Sequence, residues 1–148
     1  MHIRTEIRQL IRDRLVAAGL VSGRVYAVRH RPLREDSVPC ILVYPIIDEV
    51  GKYDMAVAPR DRTLTIAVVP VVNAVSGGES TVDDDLDELC EDIETVMEGD
   101  GISTFGIYTS EFVHGVTFSR TELRKSDEGS MTVLSALMFY EIQYRGQV

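Results

Sequence analysis

The sequence predicts an α+β fold, a mostly antiparallel sheet packed against two helices in the order α-β-β-β-α-β-β-β, within one domain spanning residues 1–148. Three observations carry this expectation. Two segments repeat apolar residues at helical spacing, near 5–18 and 82–97. Short apolar runs of strand length recur between and after them. Turn-forming clusters link those runs, as in antiparallel layers with helices on one side.

Taken in order, the first helix is expected over residues 5–18. Ile7, Leu10, Ile11 and Leu15 share one face, Ile3 and Ala18 extend it, and Gly19 supplies the stop. His2 falls at an expected frayed end. A short strand follows at 24–28, where Val25, Tyr26 and Val28 favour extended backbone. Residues 29–38 are polar and aperiodic and read as an exposed loop or arm. A buried strand is expected at 40–46, interrupted by Pro45, which cannot donate to a central ladder. A second long polar loop covers about 48–61. The next strand runs from 62 to 69 with alternating residues, and Pro70 allows at most an edge continuation to 72.

Gly77-Gly78 marks a turn. The second helix has the clearest signature in the chain. Val82, Leu86, Leu89, Cys90, Ile93, Val96 and Met97 form a continuous stripe, Ser80 or Thr81 can cap it, and Asp83–Asp85 in the first turn complement the helix dipole. Gly99 and Gly101 end it. Strands are then expected at 105–109 and 112–118, with a turn-rich gap at 125–130. The last strand, 131–144, is apolar on both faces between 133 and 140, which places it centrally.

Composition bounds the function. Apolar residues are 45% and charged residues 26% of 148, the balance of a soluble globular chain. The apolar runs are far shorter than the roughly 20 residues of a membrane helix. The charged N-terminus lacks a signal-peptide core, so the chain is expected to remain in the cytosol that makes it. Net charge is −9, against general nucleic-acid binding through a basic face. That average hides a segregation. Residues 1–34 hold eight arginines against Glu6 and Asp13, whereas residues 79–100 hold eleven acids and no Lys or Arg. The two could meet within one fold or face each other between subunits.

No catalytic constellation emerges. His2, His30 and His114 lie outside any nucleophile, metalloprotease or phosphate-loop motif, and surface or packing roles are expected for all three. Cys40 and Cys90 sit in apolar patterns without a CxxC partner and are expected to be buried thiols. Asp83, Asp84 and Asp85 are the most tempting metal cluster, but consecutive helical residues fan about 100° apart and do not converge on one ion. No cofactor, metal or catalytic residue is therefore expected, and the chain is expected not to be an enzyme. The two long polar loops read either as contact surfaces of an assembly component or as ordinary mobile surface loops.

One resemblance adds to this. The amphipathic N-terminal helix and its strand, the Arg31-Pro-Leu-Arg-Glu-Asp36 segment running into Pro39-Cys-Ile-Leu-Val-Tyr44, the strand from Arg62, the acidic helix at 86–97 and the closing Phe139-Tyr-Glu-Ile-Gln-Tyr144 together resemble phage tail terminator proteins of the minor tail protein U type. The resemblance implies a structural virion protein of a phage or prophage. It would form a homo-hexameric ring that caps the tail tube, ends its polymerisation and offers the head-joining surface. Its implied partners are its own copies, the tail tube protein and a head–tail connector protein, with DNA passing through the ring unrecognised and no membrane involved. Its implied location is the host cytoplasm during assembly and then the virion tail.

Such a ring needs two complementary patches per subunit. The candidates are Arg8, Arg12, Arg29, Arg31 and Arg34 on one side and Asp83, Asp84 and Asp85 on the other. Alternatively the acids line the channel and keep DNA from sticking. The alternatives are another neck or tail-completion protein, a small metal-dependent enzyme using the acidic cluster, and a monomeric module that recruits a basic partner.

Overall fold

The computed structural model describes residues 2–28, 38–51, 61–74, 79–98, 113–128 and 131–145. Helix α1 spans Ile3–Ala17 and is capped by His2, whose ring Nδ1 accepts the Arg4 amide N–H at 3.0 Å. The expected frayed end is thus a cap. The buried stripe is Ile3, Ile7, Ile11 and Leu15, narrower than expected, since Leu10 is 37% exposed and Ala18 lies at the surface. Gly19 ends the helix with a left-handed backbone (φ 75°), which costs glycine nothing. The turn Leu20–Gly23 that follows keeps Val21 and Ser22 at φ 45° and 52°. A β-branched residue there is strained by about 1–2 kcal/mol.

The strands are β1 (Val25–Tyr26), β2 (Cys40–Val50), β3 (Asp61–Asn73), β4 (Val113–Glu128) and β5 (Met131–Arg145), with α2 (Glu79–Glu98) between β3 and β4. They form one sheet in the order β1-β2-β3-β5-β4, in which only β1–β2 is a parallel pair. This is the expected α+β class. The expected strand at 105–109, the Gly77-Gly78 turn, the glycine stop after α2 and the loop at 29–37 lie outside the described residues.

Several boundaries differ from expectation: α1 starts at Ile3 rather than at 5, β1 is only Val25–Tyr26 where 24–28 was expected, and strands β2, β3 and β4 all run further. β2 continues through Pro45 to Val50, because a register shift between Pro45 and Ile47 absorbs the missing N–H, leaving Ile46 outside the pairing. The loop expected from 48 therefore starts later. β3 passes through Pro70 although it lies inside the sheet. Pro70 pairs with Ile41, and the ladder toward β5 skips from Val68↔Met138 to Val71↔Ser135 in unchanged register, so a gap in one ladder replaces the expected break. β4 runs ten residues beyond its expected end, paired as far as Glu128↔Met131. A bulge between Phe118 and Arg120 switches its facing, which turns Phe118 onto Tyr140 (centroids 4.9 Å apart) and Arg120 over the ring of Phe139.

Both faces of the sheet are apolar. On one, Ile41, Val43, Leu64, Ile66, Val68, Met138, Tyr140 and Ile142 pack against the α1 stripe and against Ile93 and Met97 of α2. On the other, Cys40, Leu42, Ala67, Val69, Val71, Leu137 and Phe139 form a second cluster. β5 supplies both, as its two-faced apolar run predicts. α2 begins at Glu79, earlier than its expected caps, so Asp83–Asp85 fall in its second turn. No helix among the described residues is long and apolar enough to cross a membrane.

Candidate functional site

Of the residues that the sequence puts forward, the structure describes Arg8, Arg12, Asp83, Asp84 and Asp85. On α1, Arg12 is exposed and pairs with the adjacent Asp13 at 2.8 Å, while Arg8 is half-buried with its Nε enclosed and lacking a hydrogen-bond partner. Arg29, Arg31 and Arg34 lie outside the described residues. Asp83, Asp84 and Asp85 are all exposed on α2, fanned as helical geometry requires. Among the described residues, no group of three or more His, Cys, Asp or Glu side chains is placed to hold a metal ion.

Asp85 parts from its neighbours. With Glu88 and Asp92, at spacings of three and four, it rims one flank of α2 above a cleft of about 370 Å³. The floor is apolar: Val21 of the strained turn, Val38 and Pro39 before β2, Val72 at the end of β3, and Val82 and Leu89 of α2. The sequence marks the acids but not the cleft, which is assembled from four separate segments.

The opposite edge of the sheet has the complementary character. β4 is an edge strand, and beyond its bulge it carries Arg120, Glu122, Leu123, Arg124 and Lys125. Glu122 bridges Arg120 and Arg124, each at 3.2 Å, so the segment keeps net positive charge. Leu123 is 70% exposed, far above the other large apolar side chains among the described residues. Charged edge strands resist random strand pairing, and an isolated exposed leucine among them calls for a partner or a reason. The same strand borders a groove of about 810 Å³ over the second sheet face, with Leu42, Tyr44, Leu137 and Phe139 on its floor.

The fold has a known counterpart. No protein-family model matches this chain, and no curated protein matches its sequence. Among solved structures, a chain from the virion of a native gene transfer agent particle aligns over 95% of this chain and 95% of that chain, with a TM-score of 0.56 and 14% identity. This chain shares its fold with a virion component. The correspondence runs essentially end to end in both chains.

A third cluster was not legible in sequence. Near the end of β2, the Asp48 side chain is 7% exposed, and its Oδ2 accepts the Tyr144 hydroxyl at 2.7 Å and Arg62 Nη1 at 3.2 Å, with Arg4 Nη1 at 3.5 Å. Burial, and then this bond to Asp48, raise the Tyr144 phenol above its ordinary range. The cluster ties α1, β2, β3 and β5 together at the end of the sheet away from the cleft, so its role is structural. No motif announces it, because Asp48 and Tyr144 are 96 residues apart.

Of the two cysteines, Cys40 is buried and Cys90 half-buried. Burial, followed by the charges of Asp87 and Glu94, pushes the Cys90 thiol up to about 11. Its thiolate fraction at pH 8 is then about a hundredfold below that of an ordinary cysteine. Labelling by a thiol reagent is expected to be slow at pH 8 and to accelerate as the pH approaches 11. Rapid stoichiometric labelling of Cys90 in the folded protein at pH 8 would contradict this.

Proposed function

We propose that this chain is a structural virion subunit, a tail terminator whose head-to-tail ring caps the tail tube, ends its growth and presents the head-joining surface. The observation that carries this reading is the end-to-end match to a chain of a virion particle, 95% of each. The sequence resemblance to tail terminators supplies the finer role, and hexameric closure follows from it. In this reading assembly takes place in the host cytoplasm, the partners are the tail tube protein and a head–tail connector protein, and DNA passes through the ring. The acids of α2 that do not rim the cleft are then free to repel the phosphate backbone.

Two measurements test it. Light scattering of the purified chain at high concentration is expected to give six times its 16.5 kDa mass. Added to polymerising tail tube protein, the chain is expected to hold tubes short in electron micrographs. A ring that leaves tube growth untouched would reassign it to another neck or tail-completion role, and a persistent monomer even in the presence of tubes would remove the ring.

A further inference from the structure

We infer that the contact between neighbouring copies is a knob in a cleft: Leu123, with Arg124 and Lys125 beside it on the β4 edge, enters the acid-rimmed apolar cleft of the next copy between α2 and the Val38-Pro39 segment. This rests on the ring reading above and names the surfaces that build it.

Three features of the fold lead there. The first is shape and polarity. The cleft has an apolar floor of Val21, Val38, Pro39, Val72, Val82 and Leu89, and it has room for a leucine side chain with the methylene stems of adjoining basic residues. Leu123 is the most exposed large apolar side chain among the described residues, and transferring it into such a floor removes that exposure. The second is charge. Asp85, Glu88 and Asp92 rim the cleft and make no ion pair with another described residue, while Lys125 is likewise exposed without one. The two patches carry opposite signs, which fixes the register of a contact and discourages like patches from meeting.

The third is position. The patches occupy opposite flanks of the sheet, β4 at one edge and the cleft toward β1 and β2, so one copy can offer its knob to the next while its own cleft receives another. They also lie at one height along the strands. Lys125 pairs with Leu134, Leu134 pairs with Val72 on the cleft floor, and Val71 beside it pairs with Cys40, next to Pro39. A contact between patches at equal height repeats with little axial rise. A heterologous contact of this kind closes into a ring where its rotation divides a full turn, and otherwise winds into a filament. Asp127 and Glu128 follow at the hairpin end, where Asp127 accepts the Thr132 hydroxyl at 2.8 Å and is held within its own subunit.

The experiment is a charge swap read by light scattering, under conditions where the unaltered chain forms its ring. Asp85→Lys with Glu88→Lys is expected to lower the mass from ring to single chain, as is Arg124→Glu with Lys125→Glu. All four substitutions together are expected to restore the ring. Leu123→Ser is expected to raise the dissociation constant at least tenfold with unchanged circular dichroism, while Glu91→Lys, on the solvent side of the same helix, leaves the mass unaltered. A second readout does not depend on weakening the contact: Leu123→Cys with Glu88→Cys, oxidised, is expected to give a ladder of cross-linked species rising by one chain mass. If rings persist through both reversals and no ladder forms, this contact is overturned and the ring reading stands. If the unaltered chain forms no ring, alone or on tubes, both fall.

Discussion

Ile11→Ala is expected to destabilise the protein by about 2–5 kcal/mol, measured as the drop in unfolding free energy on urea titration with little change in slope. Ile11 is fully buried and sits in the middle of the α1 stripe, flanked one turn away on each side by Ile7 and Leu15, both also within the core cluster. Because those neighbours are fixed by the helix and the sheet below is fixed by its ladders, the site can close only partly around alanine. A cavity cost therefore adds to the lost transfer free energy. Alanine raises helix propensity by a few tenths of a kcal/mol, which does not compensate. The contrast is Leu10→Ala, one residue away at the edge of the stripe, where 37% exposure limits the expected loss to about 1 kcal/mol. Equal losses at the two positions would mean that α1 is not seated as described. The effect is large beside the 5–15 kcal/mol typical of whole domains, so Ile11→Ala is also expected to reduce soluble yield.

How far the sequence announces this fold depends on whether a residue's role is set by its own neighbours. The α2 stripe from Val82 to Met97 and the two-faced run of β5 were legible because burial alone imposes their periods. Pro45 and Pro70 misled because the proline rule concerns one strand, whereas the sheet answers with a register shift at one and a ladder gap at the other, supported by strands on both sides. β4 beyond Phe118 was invisible for a different reason. As an edge strand it buries little side-chain area from Arg120 to Asp127, so that stretch shows no apolar alternation and is held by its pairing with β5. Of the candidate site, the acidity of α2 is plain in the sequence, but the cleft beside it is not. Helical rotation gives only Asp85 to the cleft, in company with Glu88 and Asp92. Leu123 in a charged run was readable as an oddity, yet its meaning depends on a cleft built from segments far away in sequence.

Asp48→Ala is expected to cost roughly 2–4 kcal/mol, the second large effect, and it tests an ionic cluster whose partners come from distant parts of the chain. All three contacts fall on a single carboxylate oxygen: the Tyr144 hydroxyl, Arg62 and Arg4. The other oxygen, Oδ1, is enclosed without a hydrogen-bond partner, so part of the carboxylate's desolvation is never recovered and the cluster is worth less than its geometry suggests. Removing the side chain leaves more than the pair's net worth behind, because two guanidinium groups lose their shared counter-charge and a fully buried phenol loses its acceptor. Solvent moderates the first of these, since the Arg4 and Arg62 side chains are 45% and 26% exposed, which places the expectation below the 3–5 kcal/mol of a fully buried pair. Asp48→Asn keeps an acceptor for Tyr144 and is expected to lose about half as much, while Tyr144→Phe is expected to lose about 1 kcal/mol. A loss under about 0.5 kcal/mol in Asp48→Ala would place the cluster with ordinary surface pairs. The functional consequence follows from location. Arg62 and Tyr144 pair with each other at one end of the β3–β5 ladder, whereas Val72 of the cleft and Leu134, level with Lys125, lie toward the other. Folded Asp48→Asn protein is therefore expected to retain its ring at unchanged mass while melting earlier, a separation of stability from assembly that a cluster lying within the contact would not permit.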